Sequence, residues 1–225
     1  MFNRKNLARL AGAGAAATVA VGLFSTGAAN ADTFIPLPGG EIVKTLSDGT
    51  SVTVRLVGES ANISPSMGAT PAHRNAWVSA SAQVEVAGGG EDVGGKIYPG
   101  YVVGCQVNIG GGGVEGSADA QATLGEDSAS VTPSGQAGGN LTVGPGQAKS
   151  FYVLDIESAN DYGDENHATN NSFDGNSGSV TWSDETIGLN GCGGYAQARS
   201  FVKVKVGTDH VQSVVTLWGQ PFSLG

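Results

Sequence analysis

The side chains able to do chemistry in this chain are mostly carboxylates. Glu115, Asp119 and the adjacent pair Glu126 and Asp127 fall in a stretch poor in bulky residues, and residues 97–198 hold 12 acids against one base, Lys149. Carboxylates brought together attract cations and repel anions, an effect that salt masks within a Debye length. Bond-making chemistry is poorly provided for. His73, His167 and His210 lie far apart without metal-ligand spacing, and there is no nucleophile elbow or paired-cysteine motif. A calcium site from Asp161, Asp164, Glu165 and Asp174 does not follow the EF-hand spacing. An enzyme needs a nucleophile, a base or a metal cluster; with none legible, the expectation is a non-enzyme with no cofactor and no metal.

The N-terminus decides the compartment. Residues 1–31 read as an export signal, with Arg4, Lys5 and Arg9, an apolar stretch over 10–24, and the small-residue site Ala29-Asn30-Ala31 before Asp32. The apolar stretch is short and broken by Gly12, Gly14 and Gly22, which argues against a retained anchor. Export takes Cys105 and Cys192, the only cysteines, into an oxidising compartment. There they form either one disulfide or two buried thiols that act as small apolar residues. All 20 acids lie beyond residue 31 and three of the 11 bases before it, so the exported part carries −12 rather than −9. That charge excludes nucleic acid as a partner.

Strands are the framework on which these groups are carried. With 37 glycines, eight prolines and few helix-like apolar periods, the exported part reads as all-β. Ile42-Val43 and 51–57, separated by Ser47-Asp48-Gly49, predict a first hairpin. Over 76–86 Val78, Ala80, Ala82, Val84 and Val86 alternate with polar residues and Trp77, a half-buried strand. Another strand starts near Lys96 and runs toward Cys105, and 195–206 with 211–218 predict a closing hairpin. The acidic, Asn-rich stretch 160–175 reads as a surface loop. No later stretch resembles a spanning helix, so membrane crossing would require a closed barrel.

Residues 107–146 look like linker by composition but not by period. On the outgoing limb Val114, Gly116, Ala118, Ala120, Ala122 and Leu124 alternate with Glu115, Ser117, Asp119, Gln121 and Thr123. On the return, Val131, Ala137, Gly139, Leu141 and Val143 share one parity, and Thr132, Ser134, Gln136, Asn140 and Thr142 the other. Two limbs of about 11 residues match membrane-spanning strands. A soluble hairpin packed on a core needs the same period, and Gly and Ala make a weak apolar face. In the membrane reading the polar parity lines water and the Glu126-Asp127 tip rings the lumen. One hairpin cannot close a barrel, so several chains would each donate two strands.

Three blocks resemble the MspA family of mycolic-acid-layer porins: Arg74-Asn75-Ala76-Trp77 through Gly100-Tyr101-Val102-Val103-Gly104, Leu124-Gly125-Glu126-Asp127 through Thr132-Pro133, and Gly193-Gly194 through Leu217-Trp218-Gly219-Gln220-Pro221-Phe222. The resemblance implies a goblet-shaped homo-oligomer, octameric in the best-known member, in which a β-sandwich rim sits above a barrel built from one projecting β-hairpin per subunit. Carried onto this chain, residues 32–106 and 147–225 form the rim, residues 107–146 the stem, and Glu126 and Asp127 the constriction. The implied function is passive, cation-preferring diffusion of small hydrophilic solutes through a mycolic-acid outer membrane. The implied partners are identical subunits, with a related second subunit left open, and the surrounding lipids. The cysteine pair and the acidic stretch depart from the best-known members. The rival reading is a secreted soluble β-sandwich that binds a partner or the cell wall.

Overall fold

The computed structural model describes residues 32–65, 72–90, 92–109, 140–159, 161–163 and 165–225. In chain order its strands are β1 (Thr33–Pro36), β2 (Gly40–Thr45), β3 (Ser51–Pro65), β4 (Arg74–Ala87), β5 (Gly94–Cys105), β6 (Asn140–Thr142), β7 (Ala148–Tyr152), β8 (Ile156–Ala159), β9 (Glu165–Ala168), β10 (Asn171–Asp174), β11 (Ser177–Asn190), β12 (Ala196–Gly207) and β13 (Gln212–Ser223). The described residues contain no helix, and so none long and apolar enough to cross a membrane; this says nothing of strands.

Alternation builds the first sheet. Ala76, Val78, Ala80, Ala82, Val84 and Val86 of β4 all point into the core, because period-2 side chains share a face. The sheet runs β1-β3-β4-β11-β6, with β2 also on β3, and every pairing is antiparallel except the parallel β6–β11. The β2–β3 hairpin closes as the sequence predicts. Gly49 takes φ 87°, a left-handed conformation that glycine adopts without strain, and the Thr50 N–H donates to Asp48 Oδ1 at 3.0 Å. Thr208 Oγ1 donates to Asp48 Oδ2 at 2.7 Å, tying this turn to the β12–β13 turn. The Thr50 N–H, then Thr208, hold the Asp48 carboxyl below its usual range.

The second sheet runs β10-β5-β12-β13, with β7 also on β5. Pro99 sits inside β5 at no cost in hydrogen bonds to its outer neighbours: β10 pairs with residues 94–97 and β7 with 100–104, so the missing N–H falls in the gap between them. The two sheets face each other across one core, Leu56, Val78 and Ile187 from the first meeting Ile97, Val103 and Val202 from the second. One polar link crosses that core. The Trp182 Nε1–H of β11 donates to the Tyr101 hydroxyl of β5 at 3.3 Å, both side chains being buried. Tyr101→Phe would orphan the indole N–H, and should cost about 1–3 kcal/mol in denaturant unfolding; an unchanged midpoint would show that the link carries no stability.

The acidic stretch differs from its reading as a loop. It forms the two-stranded β8–β9 hairpin, followed by β10, which pairs with the start of β5. The anchor is Phe173, which is buried: a Cβ at Gly95 or Gly178 would run into its ring, so the two glycines make its seat. Strand β11 is also longer than its polar, weakly alternating sequence suggests; burial against β4 sustains it, with an irregularity between Trp182 and Glu185.

Two further irregularities face each other across the core. In β3 the pairing shifts between Val57 and Ser60, with Gly58 at φ 64°; in the β12–β13 ladder it shifts between Arg199 and Phe201. The first turns Glu59 inward, where it is 2% exposed beside the fully buried Ser200. Both side chains lean on Gly219, whose absent Cβ leaves room for the Ser200 hydroxyl and Glu59 Oε2.

Candidate functional site: the disulfide corner

β5 ends at Cys105 and the chain returns at β6, and these two ends meet at one corner of the sandwich. The outgoing limb is laced to the segment between β11 and β12. The Gln106 N–H donates to Tyr195 O at 2.9 Å, the Gly193 N–H to Val107 O at 2.9 Å, and the Ile109 N–H to Gly191 O at 2.8 Å. The returning limb is held to the outgoing one. Asn108 Nδ2 donates to Val143 O at 2.8 Å, the Gly146 N–H to Cys105 O at 3.1 Å, and Val143 is buried.

A disulfide completes the corner. Cys105, on the second sheet, is bonded to Cys192, which follows β11 of the first, with Cα atoms 5.9 Å apart. Of the two alternatives open in the sequence, the structure therefore has the bridge. Both cysteines are buried, so the bridge joins the sheets at the point where the chain leaves and re-enters. Beside it runs a groove of about 820 Å³ on the outer side of the second sheet, with Gln106, Tyr195, Arg199 and Trp218 among its walls.

Glu115, Ser117, Asp119, Gln121, Thr123, Glu126, Asp127, Thr132, Ser134 and Gln136 fall outside the described residues, as does the export signal over 1–31. Asn140 and Thr142, expected to face a lumen, lie on β6 opposite Gly188 and Asn190 of β11. Among the described residues, the grouping that could hold a metal is Asp155, Glu157 and His167. The sequence separates them, but the β8–β9 register sets Glu157 opposite His167. His167 Nδ1 already bonds Asp155 Oδ1 at 2.7 Å, an interaction that accounts for the grouping without an ion.

The described residues form an all-β, two-sheet sandwich whose sheets are joined by a disulfide at the corner where residues 106–109 and 143–147 are laced together. The chain belongs to the MspA family, whose model matches residues 48–223, and members of that family are porins and not enzymes. No curated protein matches the chain.

Proposed function

We propose that this protein is one subunit of an oligomeric, water-filled, cation-preferring porin for small hydrophilic solutes in a mycolic-acid outer membrane. Residues 110–139 serve as the hairpin that donates two strands to a shared barrel, and residues 107–109 and 140–146 as its root. Glu126 and Asp127 ring the narrowest passage, and the polar parity from Glu115 to Thr123 and from Thr132 to Gln136 lines the water. The exported chains assemble with copies of themselves.

The observation that carries this reading is the root. A hairpin needs its two limbs side by side where they leave the body, and the Asn108 to Val143 bond brings them together at 2.8 Å. The 30 residues between allow limbs of up to about 50 Å at about 3.3 Å per residue, ample for an apolar band about 25 Å tall.

Planar-bilayer recording on the protein lacking residues 1–31 tests it. Discrete conductance with excess cation permeability is expected. Glu126→Gln with Asp127→Asn should remove most of that excess at about 10 mM salt, where the Debye length is about 30 Å and fixed charge dominates. Unchanged ion preference in the double variant would take the pair out of the constriction. A monomer that leaves the bilayer silent would replace the porin by a soluble sandwich that binds a partner.

A further inference from the structure

The outer face of the second sheet differs in charge from the rest of the molecule. Beyond residue 31 the chain has eight bases against 20 acids. Four of those bases, Lys96, Arg199, Lys203 and Lys205, alternate on the outward parity of β5 and β12, where the register puts Lys205 opposite Lys96 and Lys203 opposite Tyr98. Ion pairs among the described residues go to Arg55 and His167, and these four bases have none.

Through the same face runs a continuous line of rings. Tyr98 lies 5.7 Å from Tyr152, Tyr152 5.8 Å from Phe201, and Phe201 5.6 Å from Trp218, crossing the sheet from β7 to β13. Arg199 sits over the Trp218 ring and Lys205 over the Tyr98 ring, each 5.2 Å from the centroid. Trp218 and Val214 remain 46% and 55% exposed on β13, a strand with no outer neighbour among the described strands. Aromatic rings with arginine, backed by an open edge, are what the centre of a protein interface is made of.

We propose that this basic aromatic face is the contact by which one subunit receives the acidic β8–β9 hairpin of the next. The inference rests on the oligomeric reading above. Charge selects the kind of occupant: without these four bases the rest of the exported part carries −16, so a second copy can offer a segment of opposite charge. The face cannot meet itself, because like charges would be opposed, so the contact is between two different patches and propagates head to tail. The hairpin has the complementary chemistry. Glu157 and Asp161 are exposed on it, and Tyr162 in its turn is 92% exposed, a ring flanked by carboxylates that matches rings flanked by ammonium and guanidinium groups. The hairpin lies between β7 and β10, both paired with β5, whereas Trp218 and Val214 stand at the far edge of the face on β13. Such a head-to-tail contact, repeated, gives a ring where the rotation between neighbours closes and an open helix where it does not, and a shared barrel requires the ring.

The test uses the whole exported chain, extracted in detergent and sized by light scattering at about 0.15 M salt, where the Debye length is about 8 Å. Lys203→Glu with Lys205→Glu should raise the half-assembly concentration by about tenfold or more, since each contact then opposes like charges. Adding Glu157→Lys and Asp161→Lys to the same chain should restore assembly, which also shows that the reversed face still folds. Wild-type size for the Lys203/Lys205 variant overturns the proposal, and failure of the fourfold variant to recover overturns the hairpin as occupant. A monomeric wild type sinks this contact and the porin together. A wild-type oligomer that dissociates on Lys203/Lys205 reversal yet never conducts sinks the porin reading alone and leaves the contact standing.

Discussion

Replacing Cys105 and Cys192 together by alanine should lower the unfolding free energy by about 4 kcal/mol, the largest single loss expected in the described part of the molecule. The two cysteines are 87 residues apart, and the entropy that a bridge removes from the unfolded chain grows with the loop it closes. Alanine is the apt replacement because both sites are buried and a serine hydroxyl would need a partner there. The effect has a position as well as a size. The bridge joins the two sheets at the corner where residues 106–109 and 143–147 are laced together, so its loss should open that corner first. Hydrogen exchange of the Gln106, Ile109 and Gly193 amides should accelerate more than that of the β3–β4 ladder. Equal denaturant midpoints with and without a reducing agent would show that the bridge adds nothing, and uniform exchange would show that it acts on the whole body.

Glu59→Gln should make the protein more stable at pH 8 while leaving it nearly unchanged at pH 5. Burial pushes the Glu59 carboxyl above its ordinary value of 4.5, and the neighbouring Ser200 hydroxyl offsets only part of that. Neither Glu59 oxygen, nor Ser200 Oγ, has a hydrogen-bond partner of good geometry among the described residues. The sign follows from proton counts. Between the unfolded and the folded value the native state holds the proton that the unfolded chain has released, so stability falls as pH rises from about 4.5 until the folded value is passed. Below about pH 4.5 both states are protonated and the group contributes no slope. Glutamine keeps the shape and removes the charge, so its gain over the wild type at pH 8 is the part of the destabilisation that comes from ionising a buried carboxyl, read as the difference in denaturant unfolding free energy between pH 5 and pH 8. A Glu59→Gln effect of equal size at pH 5 and pH 8 would mean that the carboxyl titrates as it does in water.

Legibility in the sequence tracked the strength of the period. Strand β4 could be read residue by residue because small and β-branched side chains at 76–86 alternate without a break, and burial follows the same parity. Both terminal hairpins were readable because Asp48-Gly49 and the 207–210 turn punctuate strong apolar runs. Strand β10 was missed because one residue, Phe173, carries it, and of the two glycines that receive its ring Gly178 is near but Gly95 lies on β5, far back in the chain. Glu59 was missed for a related reason. An irregularity is needed to turn it inward, and Gly58 was its one local sign.

The class of the protein was already written in the order of its residues. Period-2 patterning makes strands, glycine at the turns makes hairpins, and the order of three sequence blocks marks the chain as a member of the MspA family, because these signals are local and do not depend on which strands end up side by side. The remaining features arose from folding. It brought Cys105 to Cys192, set Glu157 opposite His167, and gathered Lys96, Arg199, Lys203 and Lys205 around one line of rings. Each of these depends on strand order and register, and register is chosen by how two faces pack: a slip of one residue would send every side chain to the opposite face.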